Sequence, residues 1–221
     1  MEFLNDLRDT GREEVAARCE PRERDGTRAS GVHLGPSGYR LGPDSDGDAW
    51  YEAWPVMMVD WFAARTYLDW LADRTGRPWR LPHELEWEKA ARGVDGRIYP
   101  WGDRFDPSWA HTVPSHRGDR ALADVPGYAA RYPADTSCYG VRGLAGNTRD
   151  WCANLASDAV PEDGMRVHAP RPREVQASST VTMRGGSWRG GSRFARAANR
   201  NQERATYVIS DLGVRGVYSW P

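Results

Sequence analysis

Along residues 61–76, WFAARTYLDWLADRTG, apolar side chains recur at three- and four-residue spacing. Trp61, Ala64, Leu68 and Leu71 fall on one stripe, which predicts an amphipathic helix. Asp60 stands where an N-cap belongs, and Gly76 where a left-handed stop belongs. A second helix is predicted over PHELEWEKAARG, with Pro82 in its first turn and Gly93 as its stop. Glu84 lies near its positive end and Arg92 near its negative end, and Trp87 and Ala90 share one buried face. Residues 3–18 predict a further amphipathic helix, bent near Gly11, and residues 19–49 read as polar loop. After Gly93 the helical period stops. Short aromatic segments alternate with Gly, Pro and Asp turns, residues 155–180 are polar, and the stretch from VTMRGGSW to LGVRGVYSW alternates enough for short strands. The pattern predicts an α+β fold in a single domain, 1–221, with an N-terminal helix and loop over 1–49 and the main body over 50–221.

Composition sharpens this. Eleven tryptophans sit among 23 glycines and 15 prolines, so large rings are expected to anchor irregular backbone. The net charge is −1, from 30 basic and 31 acidic side chains, which argues against a dedicated nucleic-acid binder. No apolar run reaches the roughly 18 residues of a membrane span. The opening MEFLNDLRDTGREE has no apolar core of a signal peptide, so a cytoplasmic location is expected, although the abrupt start also suits a domain cut from a longer chain. Cys19, Cys138 and Cys152 have no metal-ligand spacing and are expected to be reduced. DSDGD, with Asp44, Asp46 and Asp48, imitates the start of a calcium loop, but Pro55 stands where its closing glutamate belongs, so a turn is expected. The paired glycines of MRGGSW follow no phosphate-loop pattern and are expected to serve backbone geometry, with Trp188 filling the core.

Five blocks, RLPHELEWEKAARG, YPWGD, YGVRGLAGNTRDWC, MRGGSWRGGSRFARAANR and LGVR, occur in that order. Together they resemble the formylglycine-generating enzyme (sulfatase-modifying factor) family, over about Pro55 to Val217. The resemblance implies a C-type lectin fold of that family's type: two helices on a small twisted antiparallel sheet, with much irregular loop. It also implies where chemistry would lie. The family's founding enzymes bind copper through a cysteine pair just after the GGS-aromatic motif. The equivalent RGGSRFARAANR has no cysteine, so no thiolate ligand set or nucleophile is expected and formylglycine generation is not. Iron-dependent relatives draw histidines from an additional helical domain. Of His33, His83, His111, His116 and His168, only His111 and His116 are spaced to meet across a turn, and both are expected in solvated loop. Neither copper nor iron is therefore expected.

A structural calcium is implied at GLAGNTRDW, where the positions matching the family's oxygen ligands are Gly143, Gly146, Thr148 and Asp150. Gly143 replaces a side-chain amide there, Arg149 brings a cation close, and a hydrogen-bonded turn is the alternative. No suitable Asn for a second calcium appears near SWAHT.

The function expected is a non-catalytic module that binds a protein or small-molecule ligand, with no nucleic-acid or membrane partner. Its surface is expected to comprise Arg189, Arg193, Phe194, Asn201, Gln202, Arg204, Tyr207 and Ile209, which mix aromatic, basic and amide groups without a core-like period. The segment 189–218 also resembles the C-terminal region of diversity-generating retroelement variable proteins, which randomise exposed positions on a fixed scaffold. Two alternatives stand beside it: a family enzyme with metal-dependent oxidase or oxygenase chemistry, and a sensor domain fused to a signalling protein such as a kinase.

Overall fold

The structure is a computed structural model that describes residues 1–29, 31–44, 47, 50–116, 131–158 and 174–219. Asp46, Asp48, His168 and part of the polar stretch 155–180 lie outside the described residues.

The chain opens with α1 (Glu2–Asp9) and α2 (Glu13–Cys19), separated at Gly11, whose φ of 74° only glycine adopts without strain. A hairpin follows inside the stretch expected to be loop: β1 (Val32–Gly35) pairs antiparallel with β2 (Gly38–Leu41). The sequence reading missed it because its strands are four residues each, too short for an alternation to register against the surrounding Gly and Pro.

The first predicted stripe becomes α3 (Trp61–Thr75). The Asp60 carboxylate accepts the Ala63 amide at 2.8 Å, and Gly76 closes the helix in the left-handed region. Next comes α4 (Glu84–Arg92), and here the prediction needs correcting. Pro82 precedes the helix, and His83 is the N-cap, its Nδ1 accepting the Leu85 amide while Glu86 reaches back to the His83 amide. The buried face runs through Trp87 and Ala91, four residues apart, with Ala90 only half-buried.

Four strands form the main sheet in the order β5-β4-β3-β6: β3 (Arg149–Leu155), β4 (Thr180–Arg184), β5 (Arg200–Arg204) and β6 (Leu212–Gly213). β3, β4 and β5 are antiparallel neighbours, but β6 runs parallel to β3, so the sheet is mixed rather than purely antiparallel. All five inner residues of β3 are buried, which places it between two helices. Trp151 and Ala153 pack with Trp61, Ala64 and Leu68 of α3. Cys152 packs with Trp87 and Ala91 of α4. Each ring's indole N–H is satisfied by the opposite element: Trp61 Nε1 donates to the Cys152 carbonyl at 2.8 Å and Trp151 Nε1 to the Val59 carbonyl at 3.0 Å. The N-terminal helices join the same body, since Phe3, Leu4 and Leu7 pack with Val59 and Ala63.

Trp188 is not a core plug. It is half-buried, with Nε1 donating to the Ser210 carbonyl at 3.3 Å and the Arg189 guanidinium over its ring. Trp151→Ala is therefore expected to cost about 3–5 kcal/mol in urea unfolding, and Trp188→Ala clearly less. Equal losses would show that the sheet does not take its stability from the β3 ring.

Candidate functional site

Residues 143–147, GLAGN, have no regular structure, yet Leu144, Ala145 and Gly146 are buried. Their backbone groups must therefore find partners within the protein. Asp135 supplies one side: its carboxylate accepts the amides of Leu144, Ala145 and Gly146 at 3.1–3.3 Å. Burial lifts the Asp135 carboxyl to about 6, against the pull of those amides and of Arg215. Arg215, in the LGVR block, supplies the other side. Its Nη2 donates to the Gly143 carbonyl at 3.1 Å and its Nε to Asp150 Oδ2 at 2.7 Å, an oxygen that also accepts Trp87 Nε1 at 2.8 Å. The last residue ties two further segments, with Asn147 N–H donating to the His111 carbonyl and the Asn147 carbonyl accepting Trp188 N–H, each at 2.9 Å.

This geometry tests the calcium expectation. Gly143 and Asp150, two of the four expected ligand positions, are joined by a guanidinium that provides the positive charge the carboxylate needs. The backbone at Gly146 lies directly against that of His111, a Cβ there falling 2.4 Å from the His111 carbonyl oxygen. Thr148 is buried near Gly213. Arg215 thus takes the place between Gly143 and Asp150 that a calcium ion bound there would need.

The paired glycines behave as the sequence suggested. Gly185 has a φ of 95°, and a Cβ on Gly186 would sit 2.0 Å from the Ala145 carbonyl oxygen, so the GGS turn lies flat on the GLAGN loop. Ser187 Oγ then donates to Asp211 at 2.6 Å, and Asp211 also receives Arg149 at 2.7 Å. From this base the chain emerges as the RGGSRFARAANR segment.

The structure divides the eight expected surface residues. Arg189, Arg193, Gln202 and Arg204 are exposed. Gln202 and Arg204 share the outward face of β5, whose second edge carries no strand among the described residues. Arg189 donates to Ser210 Oγ at 3.1 Å, while Arg193 lies 4.5 Å over the half-buried Phe194 ring in a short 3-10 turn, Ser192–Ala195. Asn201 is half-buried on the inner face of β5. Tyr207 and Ile209 instead pack against the main core, and the Tyr207 hydroxyl accepts the Arg24 guanidinium at 2.5 Å. Sequence reasoning missed Arg196, exposed between these groups, and Arg200, which leaves β5 to grip Glu84 at 2.6 Å and 2.9 Å. Six arginines at 184, 189, 193, 196, 200 and 204 were the available signal.

His111 and His116 are buried rather than solvated, which corrects the sequence expectation. Their rings stand 6.0 Å apart and perpendicular, with His111 stacked on Tyr132 at 5.3 Å and His116 Nε2 3.0 Å from the Trp188 carbonyl. Among the described residues no third His, Cys, Asp or Glu joins them in a metal-holding group. Desolvation, with help from His116 and Arg131, pulls His111 down to about 4. Cys138 is exposed, while Cys19 and Cys152 are buried. Burial raises the Cys152 thiol well above its usual range, the opposite of thiolate activation.

Two outcomes are expected. His111 titrates near 6.5 when unfolded and about 4 when folded, so its contribution to stability is intact above 6.5 and drains as pH falls toward 4. Between pH 7 and 4.5 the native chain should lose about 2 kcal/mol more in urea unfolding than His111→Gln, in which the Asp135 contribution is unchanged. Millimolar calcium should leave the native Tm in place, and Arg215→Ser should lower the Tm, with a loss of stability on the order of 3 kcal/mol from stranding the buried Asp150 charge. A clear rise of the native Tm with calcium would overturn the assignment of that place to Arg215.

Comparison with known proteins agrees with this architecture. The family model described as "Sulfatase-modifying factor enzyme 1-like domain" matches residues 27–219. A formylglycine-generating enzyme of Thermomonospora curvata is 30% identical over 164 residues, covering 69% of this chain and 51% of that protein. An inactive C-alpha-formylglycine-generating enzyme 2 of Bos taurus is 38% identical over 120 residues, 51% of this chain and 36% of that protein. The chain thus spans about half the length, or less, of these curated relatives. Among solved structures, PvdO from Pseudomonas aeruginosa superposes with a TM-score of 0.63 at 22% identity, over 83% of this chain and 69% of that one. Treponema denticola variable protein 1 superposes with a TM-score of 0.54 at 17% identity, over 79% and 76%. With its five ordered motifs, its C-type lectin-like α+β fold and a family match over residues 27–219, the chain belongs to the sulfatase-modifying factor family.

Proposed function

We propose that this chain is a non-catalytic recognition module whose target binds at Arg189, Arg193, Gln202 and Arg204, on the turn and edge strand that follow the GGS motif. The observation that carries the reading is the contrast between that surface and its base. The four side chains are exposed, while the segment's ends are fixed by Gly186 against Ala145 and by Arg200 on Glu84. Exposed positions on a fixed backbone can change identity without unfolding the protein, which a diversified binding surface of the retroelement kind requires. The fold shared with Treponema denticola variable protein 1 supplies a suitable frame, and the support for binding comes from the segment itself.

The donor chemistry of the site favours recognition over catalysis. The segment carries no thiol, and among the described residues the two perpendicular histidines are joined by no third donor of the kind an oxygenase would need. Its exposed arginines point to targets with carboxylates or planar groups, where a guanidinium binds two oxygens at once or stacks.

Randomising Arg189, Arg193, Gln202 and Arg204 in a displayed library should leave most members folded, with melting temperatures within a few degrees of the native chain, and yield binders to a chosen protein target. Tyr207→Ala serves as the contrast and should lower stability, because its ring packs on the core and meets Arg24. A library that is mostly unfolded would remove the reading. So would stoichiometric iron or copper on the purified protein with turnover of a thiol substrate.

A further inference from the structure

A cavity of about 400 Å³ lies between α1, the β1–β2 hairpin, the 50–57 turn and the start of α3. It shares no residue with the proposed recognition surface. Its walls are Phe3, Leu41, Trp50, Trp54, Ala63 and Tyr67, with Tyr51 and Val56 among its lining and more than half exposed. The volume lies in the range of about 300–1,000 Å³ typical of small-molecule pockets.

Three observations define what would fill it. First, the aromatic wall is built and fixed. Trp50 lies flat on the Gly31 backbone, where a Cβ would meet its ring at 2.2 Å, and its Nε1 is fastened to Asp44 at 3.1 Å. The Trp54 ring follows at 6.3 Å from Trp50 and 5.6 Å from Tyr51. Second, no lining residue has a buried side-chain polar atom without a hydrogen-bond partner, so a ligand has no such side-chain group to satisfy. Third, the charged groups of the lining among the described residues are the Met1 α-ammonium, Glu2, which is paired with Arg74, and Glu52, so they nearly cancel, and Cys19 and two tyrosines are the other ionisable side chains. Glu52 is exposed, and burial pushes the Cys19 thiol up to about 11, keeping it neutral. The lining therefore offers no net charge to hold an ionic guest, while the flat rings favour a flat one.

We propose that this cavity is a second binding site, which takes an uncharged, flat aromatic small molecule between the Trp50 and Trp54 rings and the Ala63 face of α3. The ligand class follows from ring shape, polar satisfaction and the near balance of the lining charges.

The test is a fluorescence titration of the full chain with N-phenyl-1-naphthylamine, excited through tryptophan, beside its anionic relative 8-anilino-1-naphthalenesulfonate. The neutral probe should bind one to one, and about tenfold or more tighter than the sulfonate. Ala63→Leu, which places a larger side chain in the cavity, should weaken the neutral probe about tenfold in a protein that still unfolds cooperatively. Glu52→Lys, an exposed change that leaves the cavity intact, should bring the sulfonate close to the neutral probe. The proposal is overturned if the neutral probe fails to saturate, if a folded Ala63→Leu protein binds it unchanged, or if the sulfonate binds equally well and ignores Glu52→Lys. These outcomes are independent of the library result at Arg189 to Arg204, so either reading can fail alone.

Discussion

The loop at residues 143–147 sets the constraint on which the rest of the structure depends. It is buried, and it has no helix or strand in which to pair its own amides and carbonyls. An unpaired buried backbone group costs about as much as a lost hydrogen bond, or more. Three distant parts of the sequence therefore converge on it: Asp135 takes its amides, Arg215 takes the Gly143 carbonyl, and the GGS turn lies across it with no room for a side chain at Gly186. Because Arg215 also neutralises Asp150, and Asp150 holds Trp87, the same contacts fix α4 to β3. One loop's polar demands thus orient a helix, the central strand and the C-terminal segment together.

That arrangement explains the tryptophan-rich composition. A sheet of four short strands offers little regular surface, and its central strand must be covered on both faces. Large rings do this with few residues: Trp61 and Trp151 fill the α3 side and Trp87 the α4 side, each with its N–H bonded across the interface. The polar positions of β3 are satisfied in the same way. Asn154 accepts the Glu84 amide at 2.9 Å and donates to its carboxylate, which Arg200 then holds from β5. The edge strand is fastened to α4 by charge on a sheet edge that carries no further strand among the described residues.

Legibility in the sequence followed the range of the interactions. The helices α3 and α4 were readable because their stripes, caps and stops lie within a few residues, although Pro82 lured the start of α4 two residues early. The split at Gly11 was readable for the same reason. β3 was not, because WCAN buries both faces and shows no alternation, so Trp151 was visible as an anchor but not as part of a strand. The positions of His111 and His116 were equally hidden: the stacking of Tyr132 and the Trp188 carbonyl arrive from far along the chain. The surface residues were half legible. Exposure of Arg189, Arg193, Gln202 and Arg204 follows from their polarity, whereas Tyr207 and Ile209 were drawn inward by a core that no local pattern announces.

The placement of positive charge carries the synthesis one step further. Among the described residues β5 has no strand on its outer edge, which in an apolar strand would invite pairing with another copy of the chain. Here Arg200, Gln202 and Arg204 share its exposed face, with Arg200 held by Glu84, so a second copy approaching edge to edge would meet polar and charged side chains in place of an apolar strand. The arginines that guard this edge are also the groups a carboxylate-bearing partner would meet first. Protection of the edge and the proposed recognition would draw on the same residues, because both depend on side chains that keep their charge in water while the strand beneath them stays fixed.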